Sequence, residues 1–289
     1  MQSLGAFVYV TLGSFALVLA SACGDSGGSG GGSSEPGSCS SQAKALCEKT
    51  DDCSRPTLQY VYGDLKTCIE RVTIDCEADV AAPGSKTTPA DLKACASALA
   101  KESCEDWAQA GRRPACSVPG SRADDEPCGT DTQCQSTRCA IEPGATCGTC
   151  MPLMGEGEPC TDVAACGSGL LCAGGVCMTP QAPAPPLALG EACDPLADQC
   201  DRLQLQICYP QTNVCTQIPI AGLGETCGLV NGSEYVSCSL NLTCTGGFSE
   251  AGTCVAKAAD GESCVGASCV SPAQCINEIC AVPDPAECG

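Results

Sequence analysis

Few residues of this chain have the type and spacing to do chemistry. Gly24-Asp25-Ser26-Gly27-Gly28 spells GDSGG, the surround of a nucleophilic serine in one family of acyl-transfer sites. Such a serine needs an imidazole to take its proton and a carboxylate to orient that imidazole. The chain has no histidine, and Met1 to Ala22 carries no acidic or basic side chain to act as base. The motif therefore reads as a Gly/Ser linker. Cys147-Gly148-Thr149-Cys150 is the one C-x-x-C. Redox pairs of that spacing sit at a helix start after a strand, whereas this one lies in a Gly/Pro-rich loop among other cysteines and reads as structural. A zinc site built of cysteine alone needs two close pairs, and only one is present. Asp194, Asp198 and Asp201 would offer oxygens to calcium, but the ligand order and central glycine of a calcium loop are missing; they read as surface acids. Asn231-Gly-Ser and Asn241-Leu-Thr are glycosylation sequons, relevant only in a eukaryotic source. No catalytic residue, metal or cofactor is expected.

The remaining reactive candidate is Cys23. Leu4 to Ala22 is one uncharged apolar run ending in small residues, the pattern of a secretory signal. Its last residues, Leu19-Ala20-Ser21-Ala22, lead directly into Cys23 and resemble the lipobox of bacterial lipoproteins. That family attaches diacylglycerol to the cysteine thiol and cleaves just before it. The resemblance implies a signal peptide over 1–22 and a lipidated Cys23 as mature N-terminus. Two features depart from the pattern: alanine stands three positions before the cysteine, and the first residues, Met-Gln-Ser, lack Lys or Arg. An ordinary cleaved signal and an uncleaved anchor are the alternatives. Parity agrees with lipidation, since setting aside Cys23 leaves 30 of the 31 cysteines, enough for 15 disulfides.

Composition restricts what can hold such a chain together. Cysteine makes up 31 of 289 residues, and after residue 22 the aromatics are only Tyr60, Tyr62, Trp107, Tyr209, Tyr235 and Phe248. A large apolar core is out of reach, and a disulfide scaffold of an oxidising compartment follows. The formal charge is −20, with only Arg202 and Lys257 basic beyond residue 139. A surface this acidic repels nucleic acid and anionic headgroups. It favours solubility or a basic partner.

The elements that would position these residues fall in two textures. Residues 23–38 hold Cys23 and a Gly/Ser tether, with a reach of about 20 Å. Residues 39–120 hold eight cysteines, and three segments there have helical periodicity. Ala43, Leu46 and Cys47 share a face of the first; Leu65, Cys68, Ile69, Val72 and Cys76 share a face of the second. The third starts with Thr88 as N-cap, Pro89 at the first turn and Asp91 at the third position. Cys95 lies on its apolar face and Cys104 does not, so that helix ends early or bonds on two sides. With Cys39, Cys53 and Cys116, these cysteines predict a small helical bundle stapled by four disulfides.

From 121 to 288 a Glu-x-Cys opens a unit five times. The units span 121–153, 154–178, 188–218, 222–257 and 260–288, with a stiff Pro-rich spacer over 179–187. Unit one carries Cys128, Cys134, Cys139, Cys147 and Cys150. Unit two carries Cys160, Cys166, Cys172 and Cys177; unit three Cys193, Cys200, Cys208 and Cys215. Unit four carries Cys227, Cys238, Cys244 and Cys254; unit five Cys264, Cys269, Cys275 and Cys280, with Cys288 at the end. Four cysteines allow three pairings; first with third and second with fourth is the one expected. The extra cysteine of unit one and Cys288 are left over. The stretch Cys166 to Cys177, "CGSGLLCAGGVC", after "GEPC", resembles the Dickkopf N-terminal cysteine-rich module, which also occurs in bacterial lipoproteins. The resemblance implies fold, and no signalling activity comes with it.

The fold class expected is small and disulfide-rich, a stapled helical bundle followed by tandem short β/loop repeats with small cores of their own. The function expected is that of a non-catalytic lipid-anchored envelope protein, held to a membrane by its lipid and presenting an interaction surface to an unknown, basic partner. A soluble secreted ligand or protease inhibitor is the alternative.

Overall fold

The computed structural model describes residues 38–288, apart from 110–111, 143, 161–164, 180–184, 195–199, 210–211, 232–233, 240–241, 248–249 and 266. The signal, Cys23, the tether, Asp198, Asn241, Phe248 and much of the Pro-rich spacer lie outside the described residues. The chain is disulfide-rich, with a helical N-terminal region followed by small β-sheets.

Four helices come first: α1 (Ser38–Tyr62), α2 (Leu65–Ala81), α3 (Pro89–Leu99) and α4 (Cys104–Gln109). Local chemistry sets their starts. Asp64 caps α2 by accepting from Thr67 N–H at 2.7 Å. Thr88 and Asp91 form a reciprocal capping box on α3, with Pro89 in its first turn. α3 stops at Leu99, and Cys104 opens a separate helix.

Disulfides Cys39–Cys76 and Cys47–Cys68 form two rungs between α1 and α2. The cysteines are eight residues apart on each helix and pair in opposite order, as two antiparallel helices require. Cys53–Cys104 and Cys95–Cys116 tie in α4 and α3. Ala43 and Val72 lie between the rungs in sequence and share one buried cluster with Leu58 and Tyr62. α1 is broken at Ser54, whose φ of −153° is non-helical, two residues before Pro56. Proline has no N–H to continue the helical ladder. Ser54 recaps the second half instead, with Thr57 N–H 3.4 Å from its Oγ.

The β-strands are short. Unit one holds a three-stranded sheet, β1 (Pro127–Cys128), β3 (Gly148–Cys150) and β2 (Cys139–Ala140) in that order. Units two, three and five each hold one hairpin: β4 (Leu171–Ala173) with β5 (Val176–Met178), β6 (Gln206–Tyr209) with β7 (Val214–Gln217), and β13 (Gln274–Ile276) with β14 (Ile279–Ala281). Unit four is larger, a five-stranded sheet built from β8 (Ile220–Ala221), β9 (Thr226–Val230), β10 (Glu234–Cys238), β11 (Leu242–Cys244) and β12 (Ala251–Ala256), in the order β11-β12-β9-β10-β8. Only β8 and β10 run parallel in it.

The Glu-x-Cys signature has a local cause. In unit four, Glu225 N–H donates to the Gly222 carbonyl at 3.1 Å, closing a turn, and the Glu225 carboxylate accepts from Gly222 N–H at 2.6 Å. The same pair of bonds recurs at Glu126, Glu158, Glu191 and Glu262. The residue before each Glu has positive φ, from 80° to 84° at Gly157, Gly190, Gly224 and Gly261 and 68° at Asp125. Glycine reaches that region without steric cost. Each of these residues also donates its N–H to the carbonyl of the unit's closing cysteine, which in turn donates to the Glu carbonyl. The glutamate thus locks the opening turn onto the last strand.

Sulfur forms most of the interior. Of 33 buried apolar residues described, 19 are cysteines, so crosslinking replaces the missing aromatic core. Units one, four and five each hold a small buried cluster of their own, and the units also lean on the helices. Arg71 of α2 binds unit five, Tyr60 lies 3.0 Å from Ser237 of unit four, and Ser54 donates to the Leu203 carbonyl of unit three. Unit one meets α2 through Thr132, whose hydroxyl donates to the Asp79 carbonyl at 3.1 Å.

Candidate functional site

All 30 cysteines from Cys39 to Cys288 are paired. Units two to five join first with third and second with fourth. Unit one follows the same rule with Cys128–Cys139 and Cys134–Cys150. Its spare cysteine, Cys147, bonds Cys288 across 141 residues. The C-x-x-C of residues 147–150 is therefore split between two different disulfides and forms no dithiol pair.

Within each unit the last two cysteines of the rule face one another across a hairpin, as Cys172 faces Cys177 and Cys208 faces Cys215. Directly opposed residues point to the same sheet face, so two disulfides pack side by side there. Groups such as Cys128, Cys134 and Cys150 bring three sulfurs within 4.8 Å. Metal binding needs thiolates, and these sulfurs are already bonded to one another in pairs.

Of the oxygen candidates, Asp201 is committed to local structure. Asp201 caps a short 3-10 turn by accepting from Leu203 N–H at 3.0 Å and Gln204 N–H at 3.3 Å. Asn231 sits in the turn between β9 and β10 with φ of 53°.

A cluster that sequence reasoning missed lies where α2 meets unit one. Asp75 and Asp79 are both buried on the inward face of α2. Thr130 donates to the Asp79 carboxylate, and burial pushes that carboxyl well above the usual range. Asp131 accepts from Arg112 at 3.3 Å and from Cys139 N–H at 2.6 Å; burial still raises it. Asp75 is pushed up to about 8 by burial, opposed by Arg71, and its Oδ1 has no hydrogen-bond partner. Asp79, Thr130, Asp131 and Arg112 line a 260 Å3 cleft together with Leu46 and Leu99. The i, i+4 spacing of Asp75 and Asp79 on a cysteine-bearing helix face was the available signal. Chemically these are proton-holding acids bonded to neighbouring hydroxyl, amide and guanidinium groups.

The variable surface is elsewhere. One residue before each positive-φ position, at the exposed tip of the opening turn, stand Asp124, Glu156, Leu189, Leu223 and Asp260. Leu189 and Leu223 are 60% and 69% exposed. The five tips thus carry different chemistry on one frame, and the Asp260 tip is taken up by Arg71 of α2. In comparisons with known proteins, no family model, no curated protein and no solved structure matches this chain.

Proposed function

We propose that this chain is a non-catalytic, lipid-anchored protein of the cell envelope that acts by binding through its cysteine-rich units. The observation that carries the binding half is the constant turn frame with changing tips: the glutamate, the positive-φ residue and the cysteines repeat, while the exposed tip switches between acid and leucine. A frame held by disulfides presents such residues at low entropic cost on association. The acidic excess favours a basic partner, attracted over the screening length of the medium. The anchoring half rests on Leu19-Ala20-Ser21-Ala22-Cys23 and the Gly/Ser tether after it. Fifteen disulfides belong to an oxidising extracellular environment, and among the described residues no helix is long and apolar enough to cross a membrane. A bacterial lipoprotein with Dickkopf-like repeats, on the outer membrane or cell surface, is the specific form of this reading.

The test is the mature N-terminus. Mass spectrometry should find Cys23 carrying a diacylglycerol thioether, and the protein should enter the detergent phase of a two-phase split. Cys23→Ser should shift it to the aqueous phase. A mature chain that begins elsewhere and stays aqueous would return the protein to the soluble secreted class. Binding is tested with the full oxidised chain against basic envelope proteins at low and high salt, with the reduced chain as control.

A further inference from the structure

Fourteen of the fifteen disulfides close locally: four within the helical region, spanning at most 51 residues, and ten within single units, spanning at most 17. Cys147–Cys288 alone joins two units, and it brings the end of the chain back to unit one over 141 residues. Its two ends are not equivalent. Cys147 is exposed, while Cys288 is 4% exposed. The Cys147 end of the bond is therefore open to solvent and the Cys288 end is closed.

The terminal segment held by this bond has a fitted seat. Pro285 lies against Gly129, where any side chain would come within 2.7 Å of the Pro285 Cα. Gln133, fully buried, donates from Nε2 to the Pro285 carbonyl at 3.3 Å, and Arg122 donates to the Cys288 carbonyl at 3.1 Å. These are a few contacts on residues 285–288, and the disulfide is the covalent tie among them. Once opened, only these contacts hold Cys288 near Cys147, whereas Cys264 and Cys275 stay together through the second crosslink of their unit, Cys269–Cys280.

We propose that Cys147–Cys288 is a selective exchange site, a clasp opened by a dithiol reductant of the exported-protein compartment. The donor thiolate attacks Cys147 Sγ; the Cys147–Cys288 bond breaks, and its electron pair leaves on Cys288 Sγ, which takes a proton. The donor's second thiolate then attacks the donor sulfur of the mixed disulfide and releases the Cys147 thiolate, which is protonated. The donor ends as a disulfide. Two electrons and two protons have passed to the clasp. Opening frees residues 285–288 and uncovers the Gly129 and Gln133 face of unit one, leaving every unit's own crosslinks intact.

The experiment uses the full oxidised chain and thioredoxin as the probe dithiol. Limiting amounts, followed by alkylation and peptide mapping, should label Cys147 and Cys288 at least tenfold faster than any other pair. The two other disulfides with an exposed sulfur, Cys53–Cys104 and Cys264–Cys275, are the internal competitors. Thioredoxin lacking its resolving cysteine should be trapped on Cys147. Hydrogen exchange at residues 129–133 should rise at least tenfold in the opened protein. Earlier labelling of another pair, loss of all disulfides together, trapping on Cys288, or unchanged exchange at 129–133 would each overturn the proposal.

Discussion

Arg71 on α2 grips Asp260 at the turn tip of unit five through two parallel hydrogen bonds, Nη1 to Oδ2 at 2.7 Å and Nη2 to Oδ1 at 2.9 Å. The same guanidinium donates from Nε to the Ser271 carbonyl at 2.7 Å and from Nη2 to the Val270 carbonyl at 2.9 Å. The two residues are 189 apart in sequence, so one side chain docks the last unit on the helices. A planar fork of this kind is not replaced by lysine. Arg71→Ala should cost about 1 to 3 kcal/mol of local stability, the range for charge-assisted bonds with one exposed partner. Hydrogen exchange over 258–272 should speed up while the disulfide map stays the same, and Arg71→Lys should recover only part of the loss. Unchanged protection in both variants would mean that unit five is held by its crosslinks alone.

The buried Asp75 makes stability depend on pH in an uncommon direction. Burial raises its folded value to about 8, above the ordinary carboxylate value that applies in the unfolded chain. The folded state therefore binds a proton that the unfolded state has already lost. Its contribution is complete at acid pH below the unfolded value, and it drains away as pH rises toward 8. Asp79 and Asp131 are shifted the same way. Denaturant midpoints of the oxidised protein should be lower at pH 8 than at pH 5. Asp75→Asn, uncharged at both, should narrow that gap; an equal gap in variant and parent would remove Asp75 from the account.

Nested crosslinks make the helical staples unequal. Cys47–Cys68 lies inside the loop closed by Cys39–Cys76, which spans 37 residues by sequence. With the inner bond intact, the outer one closes only the eight residues from 39 to 47 and the eight from 68 to 76. A loop of that size corresponds to about 3 kcal/mol rather than the roughly 4 kcal/mol that the full separation would give. The double variant Cys39→Ala/Cys76→Ala should lose the smaller amount by denaturant titration under oxidising conditions. A loss no smaller than the full-loop value would argue against the nesting.

How legible these features were in the sequence depends on the range of the interaction. The α2 face and the Thr88-Pro89-Asp91 start were readable because periodicity and capping are local, and the early end of α3 was readable because Cys104 is out of phase with Cys95. The 25-residue α1 was not: its second half carries Pro56, and the helix resumes only because Ser54 recaps it. The pairing rule of the units was one of the three that four cysteines allow, and spacing alone did not select it. The partner of Cys147 was not readable, since nothing near it in sequence points to Cys288. The docking of Arg71 and Tyr60 and the buried Asp75, Asp79 and Asp131 rest on single long-range contacts that leave no periodic trace. The five-stranded sheet of unit four was hidden for a similar reason, because its long loops looked like insertions.

Unit one departs from its four relatives at Asp125, which occupies the positive-φ position that glycine fills in the others. The backbone duty is the same: Asp125 N–H donates to the Cys150 carbonyl at 2.8 Å. A left-handed conformation costs a residue with a Cβ about 1 kcal/mol, less for aspartate than for most. Glycine would remove that strain but would also give the unfolded chain more freedom, which offsets part of the gain. Asp125→Gly should therefore stabilise unit one by about 0.5 kcal/mol. The readout is slower hydrogen exchange at the Cys150 amide, which donates to Glu126 in the locked turn. Faster exchange there would show that the aspartate side chain holds the turn in a way glycine cannot.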